Sequence, residues 1–163
     1  RFERGPMIAE RILSGESCAL VTDAGMPAIS DPGEDLVVLC AERGIPVTAV
    51  PGPTAMASAL SVSGMEISEF TFYGFLPREN KPLKEKLLQI GRAGEGAVFH
   101  ESPHRVKALV QAIAETLPGA RLSVSCDLTK LHELSLRGTP EEILSALNAN
   151  EKSEKGEYCL VAD

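Results

Sequence analysis

Short apolar runs alternate along the chain with stretches whose apolar positions recur every three or four residues. Residues 18–21 (Cys-Ala-Leu-Val) read as a buried strand. A loop rich in Gly, Pro and Asp follows, and then a helix over residues 34–43 that ends at Gly44. Residues 45–50 (Ile-Pro-Val-Thr-Ala-Val) form the next predicted strand. Pro51, Gly52 and Pro53 break it, and Thr54 caps a small-residue helix through about Ser61. Strand, loop and helix repeated in this way predict βαβ units and a parallel sheet. A second series then predicts strands at 70–75, 97–100, 122–126 and 158–161. Between them it predicts helices at 81–90, at 103–115 with Ser102 as N-cap, and from Pro140 with Thr139 as cap. Residues 127–137 read as irregular, and the polar segment 148–156 as a mobile surface loop.

Composition narrows the class. At 163 residues the chain can build one well-buried domain or two small α/β lobes. No apolar stretch approaches the roughly 20 residues of a membrane-spanning helix. The first residues show no signal-peptide pattern, and the chain opens on Arg1 rather than Met, which reads as a fragment. Cys18, Cys40, Cys126 and Cys159 are far apart and without a C-x-x-C pair, as expected of reduced thiols in a cytoplasmic protein without structural zinc. The net charge of −7 argues against a general nucleic-acid coat. The charge is uneven, however: residues 1–77 carry 4 basic and 10 acidic side chains, and 78–130 carry 9 basic and 6 acidic. A domain boundary is predicted there, between 1–69 and 70–163.

Three loops stand at predicted carboxyl ends of strands, where ligands of α/β sheets bind. Residues 22–33 hold two Gly, two Pro and two Asp, which suits close backbone approach to a ligand and acceptance of hydrogen bonds from hydroxyl or amino groups. A tight connection with capping Asp residues would use the same letters. Residues 51–55 open a helix whose free N–H groups suit a carboxylate. Residues 100–104 spell H-E-x-x-H, but Pro103 within them is incompatible with the single helical face that a zinc site needs. What remains there is a cluster of Glu101, His104 and Arg105, able to move a proton or hold a phosphate. Residues 91–96 form a Gly-rich turn without phosphate-loop spacing. Arg78, Lys81, Lys84, Lys86 and Arg92 are either a phosphate-contacting face or the solvated side of an amphipathic helix.

In this order the loops resemble the tetrapyrrole-methylase superfamily, and within it the branch that methylates a cytidine 2′-hydroxyl of small-subunit ribosomal RNA. The matching pieces are residues 19–27 (Ala-Leu-Val-Thr-Asp-Ala-Gly-Met-Pro), 29–33, 50–55, 59–61 and Gly64. Further matches are 74–77, Phe99, 101–105, 128–130 with Glu133, and 155–157 (Lys-Gly-Glu). Three departures stand out. The family's first strand and Gly-rich loop are absent, Met26 stands where the family has Thr, and Cys126-Asp127 replaces Arg-Glu.

The resemblance implies an α/β fold of two lobes: a parallel-sheet N-terminal lobe, incomplete here, and a mixed-sheet C-terminal lobe, with a cofactor cleft between them. It implies S-adenosylmethionine as methyl donor, bound by Asp23, Ala24, Gly25, Met26, Ile29, Thr54, Ala55, Phe99 and His100. Glu101, His104, Lys130 and Glu133 would be catalytic, and Arg78, Lys81 and Arg105 would bind substrate. A cytoplasmic homodimer acting on small-subunit ribosomal RNA or the ribosomal subunit is expected, with no metal and no membrane. Methylation of a corrin or porphyrin precursor, or a fragment that only binds cofactor or RNA, are the alternatives. A ribose hydroxyl is a poor nucleophile at neutral pH. Glu101 or His104 would therefore take its proton, and Lys130 would stabilise developing alkoxide charge.

Overall fold

The computed structural model describes residues 4–163 and divides into two compact units, Arg1–Thr54 and Ala55–Asp163. The division by packing assigns the small-residue helix that begins at Ala55 to the second unit. In the first unit, helices α1 (Gly5–Leu13) and α2 (Glu34–Glu42) enclose a core of Ala9, Cys40 and Ile45, with Ile12, Leu36 and Leu39 against it. Pro6 in the first turn of α1 costs no backbone bond, since that N–H has no helical partner anyway. The acidic pair Glu34 and Asp35 suits the positive end of α2.

The strands expected at 18–21 and 45–50 are not formed: neither segment carries strand structure. A strand exists only by pairing, and among the described residues neither segment has a ladder partner. Ile45 is drawn into the helical core, but other apolar side chains of the two segments face outward, Val21 at 82% and Val50 at 83% exposure. The parallel sheet expected in this part of the chain is thus corrected to two helices joined by loops.

The second unit is built on a five-stranded sheet. Helix α3 (Ala55–Val62) precedes β1 (Phe70–Phe75), α4 (Asn80–Ala93), β2 (Gly96–Glu101), α5 (Val106–Thr116) and β3 (Leu122–Cys126). Then come β4 (Leu134–Gly138), α6 (Pro140–Ala149) and β5 (Tyr158–Ala162). The strand order is β1-β2-β5-β3-β4, so β5, the last in sequence, lies in the middle. The β1–β2 pair is parallel and the other three pairs are antiparallel, which makes the sheet mixed.

Both faces are covered. On one, Ala97, Phe99, Val124, Leu160 and Ala162 join Leu83, Leu87, Leu109, Ile113, Ile143 and Leu147 from α4, α5 and α6 in the main core. On the other, Val98, Cys159 and Val161 meet Ala59, Met56 and Leu60 of α3. Burial on both sides explains why β5 reads as a continuous apolar run, whereas β3, equally buried, alternates apolar residues with Ser123 and Ser125. The Thr139 cap predicted for α6 is present and forms a capping box: Glu142 N–H donates to Thr139 Oγ1, and the Glu142 carboxylate accepts from Thr139 N–H.

Three sequence expectations need correction. Residues 134–138 are strand β4, an edge strand whose Leu134 and Leu136 pack on the helical core while Arg137 points the other way and donates to the Val62 and Ser63 carbonyls. Helix α5 begins at Val106 rather than Pro103. Pro103 lies in a turn in which Arg105 N and Val106 N donate to Ser102 O, and no side chain caps the helix. The segment 148–156 is tied down, with Ser153 buried and Tyr158 Oη donating to its carbonyl at 2.9 Å.

Candidate functional site

In the first unit, the loop 22–33 is fastened to residues 51–54 by one backbone bond, from Met26 N to Pro53 O at 3.1 Å. Gly25 sits there with φ +74°, and a Cβ on it would lie 3.1 Å from Pro53 O. Only glycine takes that conformation at that approach without strain. Met26 lies along the second loop, its sulfur 3.4 Å from where a Gly52 Cβ would be. Asp23, Ala24, Gly25 and Ile29 are exposed, and Thr54 is half-buried. Ala28 and Ser30 also adopt positive φ, 64° and 56°. Non-glycine residues in this region cost on the order of 1 kcal/mol each and cluster where a ligand is held. Asp31 Oδ2 is buried without a hydrogen-bond partner in the structure. Sequence reasoning read Asp31 only as part of a Gly/Pro/Asp-rich turn; its burial comes from the fold of the loop.

In the second unit the candidate residues gather at one end of the sheet. The register sets Glu101 opposite Tyr158 and Tyr158 opposite Cys126, so the loops after β2 and β3 and the segment before β5 share that end. Glu101 is fully buried. Its Oε1 accepts from Ser102 N at 2.7 Å, and its Oε2 lies 3.3 Å from Arg105 Nη2, an ion pair without hydrogen-bond alignment. The same Arg105 nitrogen donates to Pro77 O at 3.1 Å and so joins the exits of β1 and β2. Glu101 and Arg105 therefore hold loops in place, while His104 is exposed on the turn between them.

Beyond β3 the chain turns through Asp127 (φ 51°) and Thr129 (φ 67°). Lys130 Nζ reaches Glu157 Oε2 at 2.7 Å and Asp127 Oδ1 at 3.4 Å. The hydrogen bond to Glu157, reinforced by both negative charges, raises the Lys130 pKa above its ordinary value. Lys130 thus stays a cation. Glu133 Oε2 accepts from Thr129 N at 2.6 Å and braces the turn. Gly156 (φ +91°) abuts this turn so tightly that a Cβ would lie 2.7 Å from both Cys126 Sγ and Asp127 Oδ2.

His100 is half-buried on β2, edge-on to Phe72 and Phe75 with ring centroids 5.0 and 5.8 Å away, and its Nε2 is buried without a partner. Burial lowers its pKa. A folded value below the unfolded one, about 6.5, means that the unfolded chain protonates first as pH falls. The stability associated with neutral His100 is full above that value and lost below it. Unfolding in urea at pH 7.5 and 5.5 should show a larger loss in the wild type than in His100→Asn, and equal losses would rule the effect out.

Some candidates are not brought to these loops. Phe99 points into the helical core and stacks on Tyr73 at 5.9 Å, and its backbone lies between Gly74 of β1 and Leu160 of β5 in the sheet. Ala55 is exposed at the start of α3. Arg78 and Lys81 are exposed at and just before the start of α4. Of the basic run, Lys84 pairs with Glu115 at 2.8 Å and Lys86 lies over the Tyr73 ring at 4.8 Å. Among the described residues no His, Cys, Asp and Glu cluster could hold a metal, and no helix is long and apolar enough to cross a membrane.

The fold is that of a methylase: the chain superposes on the crystal structure of the methyltransferase CobJ with a TM-score of 0.68 and 16% identity, over 98% of this chain and 70% of that one. At that identity the likeness concerns fold alone. The chain belongs to the family of tetrapyrrole (corrin/porphyrin) methylases, whose model matches residues 3–144. It is 39% identical over 161 residues to the ribosomal RNA small subunit methyltransferase I of Vibrio cholerae, covering 98% of this chain and 56% of the relative. It is 41% identical over 159 residues to the protein of the same name from Bacillus subtilis, covering 98% and 54%. The chain thus spans about half the length of the curated relatives it matches.

Proposed function

We propose that this chain serves S-adenosylmethionine-dependent methylation of small-subunit ribosomal RNA at a cytidine 2′-hydroxyl, acting as a homodimer in the cytoplasm. The observation that carries the reading is the 39–41% identity, across nearly the whole chain, to relatives named for methylating that RNA. The cytidine and its 2′-hydroxyl come from the family resemblance.

The residues present fit the methyl donor. Asp31 Oδ2 offers a buried acceptor without a partner, and Gly25 leaves the loop backbone open where a side chain would fill it. Asp23, Ala24, Gly25, Met26, Ile29, Asp31 and Thr54 would hold S-adenosylmethionine in the first unit; for Ala55, Phe99 and His100 a contact rests on the family resemblance alone. When bound, the sulfonium supplies an already activated methyl group, so the protein's task is to align the attacking oxygen.

Buried and doubly engaged, Glu101 acts with Arg105 to position the loops. That leaves exposed His104 as proton acceptor for the hydroxyl. Lys130 serves as the cation beside the developing oxyanion or a flanking phosphate, and Glu133 keeps its turn in shape. Arg78 and Lys81 supply phosphate contacts, worth affinity rather than specificity.

Calorimetric titration with S-adenosylhomocysteine, paired with transfer of labelled methyl groups to unmodified small-subunit RNA, tests the reading. Saturable binding and label on a cytidine 2′-hydroxyl are expected. Binding without transfer would replace the catalytic reading with that of a binding module. Neither binding nor transfer overturns the proposal.

A further inference from the structure

The Lys130 ammonium is engaged by two carboxylates of unequal standing. Asp127 is anchored: its side chain is 21% exposed, its Oδ1 accepts from Glu157 N at 3.2 Å, and its own N–H donates to Glu157 O at 3.0 Å. These bonds knit the turn after β3 to the segment before β5. The Glu157 carboxylate, 79% exposed, is held by Lys130 alone among the described residues, although its contact is the shorter, 2.7 Å against 3.4 Å. Gly156, at φ +91°, lets the backbone just before it pass close to Cys126 and Asp127, where a Cβ would lie 2.7 Å from each. The Glu157 side chain can therefore leave Lys130 without disturbing the loop, whereas Asp127 cannot.

We infer that the Glu157 carboxylate is a displaceable place-holder for an RNA phosphate on Lys130, with Asp127 as the fixed positioning residue that keeps the ammonium aimed when Glu157 swings away. This deepens the RNA reading above and rests on it. A phosphate oxygen is an acceptor of the same kind as a carboxylate oxygen, and Lys, a compact point charge with three rotatable donors, accepts the exchange without a change of geometry. A neutral ligand gains nothing by the exchange, so the arrangement discriminates for anions. Exposed ion pairs are weak, which makes the exchange thermally accessible.

Removing the competing charge should tighten RNA binding. For the whole chain and a short mixed-sequence single-stranded RNA, Glu157→Gln is expected to lower Kd by about two- to fivefold at low salt, the range that an exposed pair commands. The gain should shrink toward 1 M salt, where the Debye length is about 3 Å. KM for RNA should fall. Glu157→Ala should give the same sign, and both variants should melt as the wild type does, since the side chain is exposed. In a Lys130→Ala background, Glu157→Gln should have no effect. An equal gain in that background would mean a general charge effect and overturn the inference, as would unchanged or weaker binding by Glu157→Gln. RNA that fails to bind the wild-type chain overturns this inference and the RNA reading together. RNA bound without coupling to Lys130 overturns the inference alone.

Discussion

Lys130→Ala is expected to slow methyl transfer to small-subunit ribosomal RNA by at least about 100-fold, the usual consequence of deleting one preorganised group that meets developing negative charge. The structure places this ammonium on a turn shaped by two residues in the left-handed region and braced by Glu133. Its raised pKa removes the option of acting as a base. Alanine keeps the turn, because the brace and the Asp127–Glu157 backbone bonds do not involve the lysine side chain. Affinity for S-adenosylhomocysteine should accordingly stay within about twofold, since the proposed donor contacts lie on other loops. Single-turnover transfer with labelled donor measures the first quantity and calorimetry the second. Transfer at the wild-type rate would remove Lys130 from the site.

The second large effect concerns stability. Glu101→Ala should cost about 3–5 kcal/mol in urea unfolding, because breaking a buried ion pair leaves the remaining charge uncompensated. Ser102 N–H loses its partner, and the Arg105 guanidinium loses its counter-charge and keeps only carbonyl acceptors such as Pro77 O. Arg105 is partly exposed, so water relieves some of this and the lower part of the range is the better expectation. Glu101→Gln, which keeps an acceptor for Ser102 N–H, should cost less. A loss below about 1 kcal/mol for the alanine variant would show that Glu101 is not a structural tie.

Much of the second unit was legible in the sequence because β2, β3 and β5 are buried on both faces and its helices carry clear apolar stripes. Residues 70–75, 97–100, 122–126 and 158–161 all lie in strands. Strand β4 was missed because its Leu134-Ser-Leu136 alternation spans only three residues and follows a turn that needs positive φ at non-glycine positions. The runs at 18–21 and 45–50 misled for a different reason. Apolar composition reports what could be buried, and pairing depends on a neighbour that the run itself does not encode. At the candidate site, the motif letters pointed to Glu101, Lys130 and Glu133, but their division of labour was not readable. Whether a carboxylate faces solvent or a guanidinium depends on where Arg105 and Pro77 meet in space. The importance of Glu157 and Asp31 likewise came from distances and burial, since isolated acidic residues in polar loops look alike in a sequence.

The position of β5 in the middle of the sheet also sets an order of assembly. The β1–β2 and β3–β4 pairs can form as soon as their own segments are available, but they share no edge until Tyr158–Ala162 slides between them. Two half-sheets must wait, each with an unpaired apolar edge, for a five-residue strand made after the other four of this sheet. During synthesis the polypeptide therefore passes through a stage at which most of its secondary structure exists without its central joint. Chaperone capture and premature aggregation would act at that stage, and its duration is governed by the sequence-distant β2–β5 contact rather than by any local propensity.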